Sequence, residues 1–177
     1  PDLSPAQVTV IPLAAGERFQ PCSDADVRAR VRARYSIPLG VPYVLSLATL
    51  EIRKNLDQVV NAFVRYMEQH GASDMHLVLA GMSGWKLEKL HEALGAAGPW
   101  RDRIILTGFV DDLDEAMRSC RAVVVPGNYS VGARTRILHA LSLGTPVVAH
   151  ASCLAGTPEL KQCPAVELFE SDEGLVR

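Results

Sequence analysis

The most constraining feature of this sequence is a series of short apolar runs with almost no polar alternation. Strands that are buried on both faces of a sheet have this composition, and such strands belong to parallel sheets. Six segments are therefore predicted to be strands: VTVIPL (8–13), YVLSLA (43–48), HLVLAG (76–81), RIILTGF (103–109), AVVVPG (122–127) and PVVAH (146–150).

Helices are predicted between these runs, each with one apolar face. One helix is predicted over NLDQVVNAFVRYMEQHG, which begins with Asn55 and ends with Gly71, residue types that commonly cap the two ends of a helix. A second is predicted over SDADVRARVRARY, with Ser23 as the expected N-cap. The others are WKLEKLHEALGAAG, DLDEAMRSC and ARTRILHALSLG. Strand–helix–strand units, repeated about five times, predict an α/β fold: a Rossmann-like, doubly wound, mostly parallel sheet with helices on both faces.

Composition narrows the class of protein. The 177 residues suit one domain, and 48% hydrophobic and 21% charged residues are typical of a globular chain. A formal charge of −2 gives no reason to expect a nucleic acid or an anionic membrane as the partner. The cysteines have no metal-clamp or redox spacing, there is no signal-peptide pattern, and no apolar run approaches the ~20 residues of a membrane span. A cytoplasmic location is therefore expected.

In a doubly wound sheet, ligands bind at the carboxyl ends of the strands, where helix amino termini direct unpaired N–H groups outward. Functional residues are therefore expected in the loops after the predicted strands: 49–55, 81–86, 107–113, 126–133 and 150–158.

Arg53 and Lys54 fall in the first of these loops, immediately before a predicted helix. Together with the positive end of the helix dipole, two such cations can bind a phosphate or diphosphate. Arg donates two parallel hydrogen bonds to phosphate oxygens, and Lys contributes a compact positive charge. The alternative is that both are ordinary solvated loop charges.

A second cationic cluster favours the ligand interpretation. Gly132 lies at a strand-to-helix turn, and Arg134 and Arg136 lie in the first turn of the next helix. Cations at a helix amino terminus oppose the dipole unless an anion also lies there. The alternative is that Arg136 points to solvent and Arg134 pairs with an acidic neighbour.

These two turns belong to a longer series of segments: VIPLAAGERFQP, VRARYSIPLGVPYVLSLATLEIRKNLDQVVNAF, LVLAGMSGW, IILTGFVDDLDEAMRSCRAVVVPG, GARTRILHALSLGTPVVAH and GTPEL. In this order they resemble the carboxyl-terminal half of the group 1 nucleotide-sugar glycosyltransferases (glycosyltransferase family 4, GT-B fold). The resemblance covers nearly the whole chain, and the joint occurrence of the segments is what makes it specific.

The resemblance implies that residues 1–177 are a single Rossmann-like domain that binds the nucleotide-sugar donor. It implies a retaining, metal-independent transfer of sugar from a nucleoside diphosphate sugar to an acceptor hydroxyl, with no cofactor. The amino-terminal acceptor domain, through which any peripheral membrane contact would occur, is absent from this chain, so the isolated domain is expected to turn over little. Alternatives are a non-catalytic nucleotide-sugar-binding or assembly domain and a GT-B sugar-nucleotide epimerase.

The resemblance also implies roles for individual residues. Arg53 and Lys54 correspond to the basic residues that grip the donor diphosphate and stabilise the charge on the leaving group. Gly132 would approach the donor phosphates. The other residues expected to bind the substrate are Thr49, Gly81, the nucleobase loop Gly108, Phe109 and Val110, the basic positions Arg134 and Arg136, and His139.

The chain departs from the family pattern at three places. Of two family glutamates, the second is replaced by His139 and the first falls on Ser130 or Val131. A neutral imidazole would hydrogen-bond a ribose hydroxyl, or else His139 is a buried helical histidine with a local partner. Ala48 replaces a common glycine, and its methyl group would either crowd a diphosphate or be absorbed by a wider loop.

Two Asp-x-Asp pairs, Asp24/Asp26 and Asp112/Asp114, resemble pairs that hold a divalent cation in another transferase fold. Both also begin predicted helices, where carboxylates cap N–H groups, and capping is the preferred interpretation. Trp85 is expected to pack across its loop or line the mouth of the pocket, with simple packing preferred.

Overall fold

The computed structural model describes residues 4–9, 11–21, 24–71, 74–127 and 133–176. Within them, six parallel strands form one sheet in the order β3-β2-β1-β4-β5-β6, which confirms the predicted Rossmann-like α/β fold. The strands are β1 (Tyr43–Leu47), β2 (His76–Ala80), β3 (Ile104–Gly108), β4 (Ala122–Val125), β5 (Val147–His150) and β6 (Val166–Phe169).

The described residues also form five α-helices: α1 (Ala25–Arg34), which precedes β1, and α2 (Leu56–His70), α3 (Glu88–Ala96), α4 (Leu113–Ser119) and α5 (Thr135–Ser142), which follow β1 to β4 in turn. Short 3₁₀ helices span Pro5–Gln7, Ile52–Lys54, Gly98–Arg103, Ala151–Leu154, Pro158–Gln162 and Gly174–Val176. None of the helices among the described residues is long and apolar enough to cross a membrane.

The sheet is buried on both faces, as its apolar runs predicted. The hydrophobic core consists of two clusters, one on each face of the sheet, and alternate residues of each inner strand belong to different clusters. Val123 lies in the cluster with α1, α4 and α5, whereas Val124 lies in the cluster with α2 and α3. Each such fully buried aliphatic side chain contributes roughly 1.5–3 kcal/mol to stability. Two-sided burial therefore explains why these strands show almost no polar alternation.

Two helix starts differ from the sequence-based expectation. The N-cap of α1 is Asp24, whose Oδ1 accepts hydrogen bonds from the N–H groups of Asp26 (2.8 Å) and Val27 (3.3 Å), so the assignment of Ser23 was wrong. Asn55 does occupy the N-cap position of α2, but its side chain does not cap the helix. Its Nδ2 instead donates to the carbonyl of Pro126 at 3.4 Å and so joins two loops.

Two strand assignments also need correction. The described part of VTVIPL, residues 8–9 and 11–13, lies outside the sheet, and Ile11 is 83% exposed. An apolar run becomes a strand only where a neighbouring strand can pair with it, and that is long-range information. Conversely, the unpredicted β6 lies at the edge of the sheet, where one exposed side chain, Glu167, interrupts the apolar run.

The strand order reverses between β1 and β4. The helices after β1 and β2 cover one face of the sheet, and those after β3 and β4 cover the other, so the loops leaving β1 and β4 diverge. A crevice opens at such a switch point, outside the carboxyl ends of the strands. The fold therefore places the loop carrying Arg53 and Lys54 opposite the segment carrying Arg134 and Arg136.

Candidate functional site

A cavity of about 390 Å³ occupies this crevice, and we call it the cationic cavity. It is lined by Ala48, Arg53, Lys54, Val125, Pro126, Gly127, Arg134 and Arg136. Four cationic side chains from two separate turns thus converge on one cavity, as the sequence predicted. Whether they bind a diphosphate stays a prediction.

A second cavity of about 370 Å³, the apolar slot, lies beside it at the ends of β1, β2 and β3. The two cavities share Ala48 and Arg136. The slot is lined by Leu47, Ala48, Thr49, Ala80, Gly81, Met82, Phe109, Val110, Leu113, Met117, Thr135, Arg136 and His139. It is therefore lined by most of the other residues that were predicted to bind the substrate. Phe109, one of them, has an exposed ring.

Arg53 and Lys54, the first cation pair, are held by a carboxylate that the sequence reasoning missed. Glu51 is buried; its Oε1 accepts a hydrogen bond from Arg53 Nη2 at 2.9 Å and lies 3.7 Å from Lys54 Nζ. A hydrogen bond from Trp85 and the two neighbouring cations hold the pKa of Glu51 below its ordinary value, against the opposing effect of burial. Glu51 is therefore ionised at neutral pH. Its position three residues before Lys54 was the available signal.

Trp85 completes this arrangement. Its Nε1 donates to Glu51 Oε2 at 2.8 Å, and the guanidinium of Arg53 lies 5.7 Å from the centroid of its ring. Simple packing, the preferred interpretation, accounts for only part of this arrangement, because the ring is 53% exposed. Trp85 also bridges the loop after β2 to the loop after β1.

Two glycines allow these loops to lie against each other. A Cβ on Gly84 would lie 2.7 Å from the carbonyl oxygen of Leu50, to which the Gly84 N–H donates at 2.8 Å. A Cβ on Gly81 would lie 1.8 Å from the carbonyl oxygen of Ala48, and Gly81 has a φ of +154°. Neither position can take a side chain without a backbone shift, so these residues fix the geometry below the two cavities.

Other predicted residues of this region act through the backbone or line the slot. Gly108 ends β3 with a φ of +69°, and its carbonyl accepts a hydrogen bond from the N–H of Gly81 at 2.8 Å. Phe109 and Val110 follow it into the slot, and Thr49 lines the slot from the β1 side. Phe109 and Val110 therefore line the slot, and their role in binding a nucleobase stays a prediction.

Arg134 and Arg136, the second cation pair, have different surroundings. Arg134 is the N-cap residue of α5, and Arg136 donates from Nη1 to the carbonyl of Leu47, at the end of β1. Burial, and then repulsion from Arg134, lowers the pKa of the Arg136 guanidinium. The alternative that Arg136 points to solvent is therefore wrong.

No carboxylate among the described residues forms an ion pair with Arg136. Arg134 interacts with the buried thiol of Cys153, which donates to the carbonyl of Gly127 at 2.8 Å. Burial raises the pKa of Cys153, with Arg134 opposing that rise, so the thiol is a neutral neighbour. An anion in the cationic cavity would offset the positive charge at this helix start.

His139 lies one turn further along α5 and stacks on Phe19. The ring centroids are 3.8 Å apart with an interplanar angle of 11°. Burial, with a smaller contribution from Arg18, lowers the pKa of His139 below its ordinary value, so the imidazole is neutral at pH 7. No local sequence pattern indicated this contact, because the two rings come from distant parts of the chain.

Three further predictions can be placed. Gly132, Ser130 and Val131 lie outside the described residues. Asp112 occupies the N-cap position of α4, but its side chain makes no capping hydrogen bond. Its Oδ2 instead accepts a hydrogen bond from Arg34 Nη1 at 2.5 Å. Within the residues that the structure describes, there is no group of three or more His, Cys, Asp or Glu side chains that could hold a metal ion.

Comparisons with known proteins agree with this architecture. The chain is similar to WaaG, a glycosyltransferase involved in lipopolysaccharide biosynthesis (TM-score 0.80, 19% identity, 98% of this chain and 46% of WaaG). It is also similar to Anabaena HepE in complex with UDP and glucose (TM-score 0.76, 18% identity, 92% and 44%). A third similar structure is sucrose-phosphate synthase from Thermosynechococcus elongatus (TM-score 0.72, 22% identity, 96% and 42%).

At these identities the similarity establishes the fold, and the chain spans less than half the length of each of these proteins. A search of curated protein sequences finds no match. The family model described as "Glycosyl transferases group 1" matches residues 41–169, which include both cation pairs and all six strands. The chain belongs to the group 1 glycosyl transferases.

Proposed function

We propose that this chain is the donor-binding domain of a glycosyltransferase. The cationic cavity would hold the diphosphate of a nucleoside diphosphate sugar, and the apolar slot would hold the nucleoside. The observation that carries this proposal is the convergence of four cationic side chains on one cavity at the switch point of the sheet. A diphosphate is the class of anion that matches several cations at this spacing and a nearby helix amino terminus.

The adjoining slot supports a nucleotide rather than a free phosphate as the ligand. It opens directly beside the cationic cavity, and its walls are mainly apolar, with the exposed ring of Phe109 available for stacking. Val110 and Gly81 would present backbone groups to the base. His139, neutral and half-buried, would offer a ring nitrogen to a ribose hydroxyl.

The chemistry that we propose is a retaining transfer. The bond between the anomeric carbon and the diphosphate oxygen breaks, and its electron pair stays on the diphosphate. The acceptor hydroxyl oxygen bonds to the anomeric carbon on the same face, and its proton passes to the departing diphosphate. Arg53 and Lys54 would stabilise the negative charge that develops on the leaving group, and they would do so as fixed charges rather than as bases.

We further propose that the acceptor is held by a second domain. The similar structures are about twice as long as this chain, and one of them is described with UDP and glucose. Transfer requires that the acceptor be positioned and that water be excluded, which a single open crevice does poorly. The isolated domain would therefore bind the donor and turn over little.

The first experiment is a calorimetric titration of the domain with UDP, GDP and ADP and with their sugars. We expect one nucleotide to bind with a 1:1 stoichiometry and the others to bind more weakly. Failure of all three to bind, in this domain and in the protein that joins it to its acceptor domain, would overturn the proposal.

The second experiment separates the enzyme from its rivals. In the two-domain protein, transfer to an acceptor should depend on Lys54, while a non-catalytic binding domain would hold the nucleotide without forming product. An epimerase would convert its donor with no acceptor present. Mass spectrometry of the donor and the acceptor after incubation distinguishes these three results.

A further inference from the structure

The contact between Trp85 and Glu51 lies at the edge of the cationic cavity and has no role in the function proposed above. Glu51 is a buried carboxylate with three donors around it: Arg53 and Trp85 at hydrogen-bond distance and Lys54 slightly further away. The two cations line the cavity, whereas Glu51 and Trp85 contact the cations and are not among the residues that line it. Glu51 and Trp85 therefore reach a ligand only through the cations.

The burial of Trp85 does not explain the contact. Half of its surface is exposed, so little apolar area is gained by placing an indole there. Its one donor, Nε1, is directed at Glu51 Oε2, the oxygen that does not accept from Arg53. Because Oε1 and Oε2 accept from different residues, the two hydrogen bonds oppose rotation of the carboxylate, which orients the guanidinium of Arg53 and attracts the ammonium of Lys54.

The backbone below these side chains is also fixed. Leu50 and Ser83 form a parallel bridge that extends the pairing of β1 and β2 beyond the strands. The N–H of Leu50 donates to the carbonyl of Met82 at 2.9 Å, and Gly84 approaches so closely that a Cβ would lie 3.3 Å from Cβ of Glu51. The two loops are therefore joined by backbone hydrogen bonds before Trp85 adds its own.

We propose that Trp85 is a positioning residue, which acts through Glu51 to hold Arg53 and Lys54 in the orientation that receives the donor diphosphate. This inference rests on the proposed function, because it assumes that a diphosphate binds in the cationic cavity. Fixed charges stabilise an anion better than mobile ones, since no reorientation is needed when the anion arrives. The carboxylate of Glu51 orients the cations, and the hydrogen bond from the indole N–H of Trp85 holds that carboxylate in place.

The test uses Trp85→Phe, which keeps an aromatic ring and every formal charge but removes the N–H. The probe is inorganic pyrophosphate, which reports on the cations without a contribution from the base. We expect the dissociation constant for pyrophosphate to rise about 3- to 10-fold, the usual effect of one lost hydrogen bond. The stability of the unliganded protein should also fall, because the buried carboxylate of Glu51 loses one donor, so affinity is measured at a temperature where both proteins are folded.

A double-mutant cycle shows whether Trp85 acts through Glu51. In a Glu51→Ala background the carboxylate is gone, so adding Trp85→Phe should change pyrophosphate affinity by less than about twofold. A purely structural role of the indole would give the same loss in both backgrounds. Equal losses in the two backgrounds would therefore overturn the inference.

Tryptophan fluorescence supplies a second measurement. The chain has two tryptophans, Trp85 and Trp100, and Trp100 lies in the 3₁₀ helix Gly98–Arg103, away from both cavities. In Trp100→Phe, pyrophosphate should change the emission of Trp85, because Arg53 and Glu51 beside the indole respond to the bound anion. In Trp85→Phe the remaining emission should not respond.

The outcomes separate the two proposals. If neither a nucleotide nor pyrophosphate binds the domain or the protein that joins it to its acceptor domain, the proposed function fails. If nucleotides bind but pyrophosphate does not, or if Trp85→Phe binds pyrophosphate as tightly as the parent, the proposed function stands and the positioning role fails.

Discussion

The two cation pairs of the cationic cavity differ in how their charge is held. Arg53 and Lys54 share a buried carboxylate, Glu51, which is itself anchored by Trp85. Arg136 instead donates to a neutral carbonyl and lies beside Arg134, so that like charges are adjacent at the start of α5. One pair is thus compensated within the protein, and the other increases the positive potential of the crevice.

This difference separates stability from function. A cation that shares a buried carboxylate stabilises the folded chain, because its removal leaves the carboxylate with fewer partners. A half-buried cation without a carboxylate costs stability, and its retention is expected where a ligand supplies the missing anion. Neutralising a cation of the first pair should therefore lower the stability or leave it unchanged, whereas neutralising Arg136 should raise it.

The largest effect is expected for Lys54. In the two-domain protein, Lys54→Met should reduce the rate of sugar transfer by about 10²–10³-fold, the range found when one preorganised donor to a developing negative charge is removed. The rate should be measured with saturating donor, so that weaker binding does not obscure the effect on the leaving group.

Lys86→Met is the matched control for this variant. Lys86 is an exposed lysine whose ammonium lies 5.4 Å from the ring of Trp85, outside the residues that line either cavity. It removes the same charge from the same region, and the transfer rate should change by less than about twofold because exposed charges are well screened. Equal losses in the two variants would indicate a general electrostatic effect instead of a local one.

The next effect concerns Arg136 and tests the comparison directly. Arg136→Met should weaken nucleotide binding by about 10- to 100-fold, because a charge-assisted hydrogen bond to a phosphate is lost. The unliganded protein should nevertheless gain about 0.5–1 kcal/mol in free energy of unfolding, since the cost of partly desolvating a guanidinium beside a second cation exceeds the value of one hydrogen bond to a carbonyl.

Calorimetry and chemical denaturation measure the two quantities, with Lys54→Met as the comparison. Lys54→Met should give no gain in stability, because Glu51 loses one of its partners. If both variants are stabilised, or neither is, then the two cation pairs do not differ in the way that their contacts indicate.

A smaller effect is expected at the backbone beneath the first pair. Gly84→Ala forces Leu50 and Gly84 apart and should reduce pyrophosphate affinity about 3- to 10-fold, with a loss of about 1–2 kcal/mol in stability. Gly95→Ala is the control, because a Cβ at Gly95 meets nothing within 4 Å and the substitution in α3 should be neutral or slightly stabilising. Unchanged affinity in Gly84→Ala would show that the loop pairing does not support the cations.

Much of the fold could be predicted from the sequence because its cause is local. The four inner strands β1, β2, β4 and β5 pack against helices on both faces, and two-sided burial leaves an apolar run in the sequence. The edge strand β3 has such a run although its Leu106 is 38% exposed. The edge strand β6 carries Glu167 and shows no such run, whereas VTVIPL has the run, yet its described residues, 8–9 and 11–13, lie outside the sheet. Pairing between distant segments decides both cases, and a single sequence does not contain it.

The features of the candidate site likewise divide into those that the sequence predicts and those that depend on contacts between distant segments. The convergence of Lys54 and Arg134 could be predicted, because the carboxyl ends of parallel strands meet at one edge of the sheet. The bridge from Trp85 to Glu51 could not, since it depends on how two loops pair beyond their strands. The stack of Phe19 on His139 likewise joins segments that are distant in the chain.

The smallest effect is a pH dependence at His139, next to Arg136 on α5. Its folded pKa is lowered below the ordinary value of about 6.5, so the unfolded chain takes up this proton more readily. The stability that the neutral imidazole contributes is therefore present above about pH 6.5 and is lost as the pH falls toward the folded pKa. His139→Phe keeps a ring stacked on Phe19 but cannot be protonated. The melting temperature of the variant should consequently fall less between pH 8 and pH 5 than that of the parent, and parallel curves would mean that burial and Arg18 do not disfavour the charged imidazole.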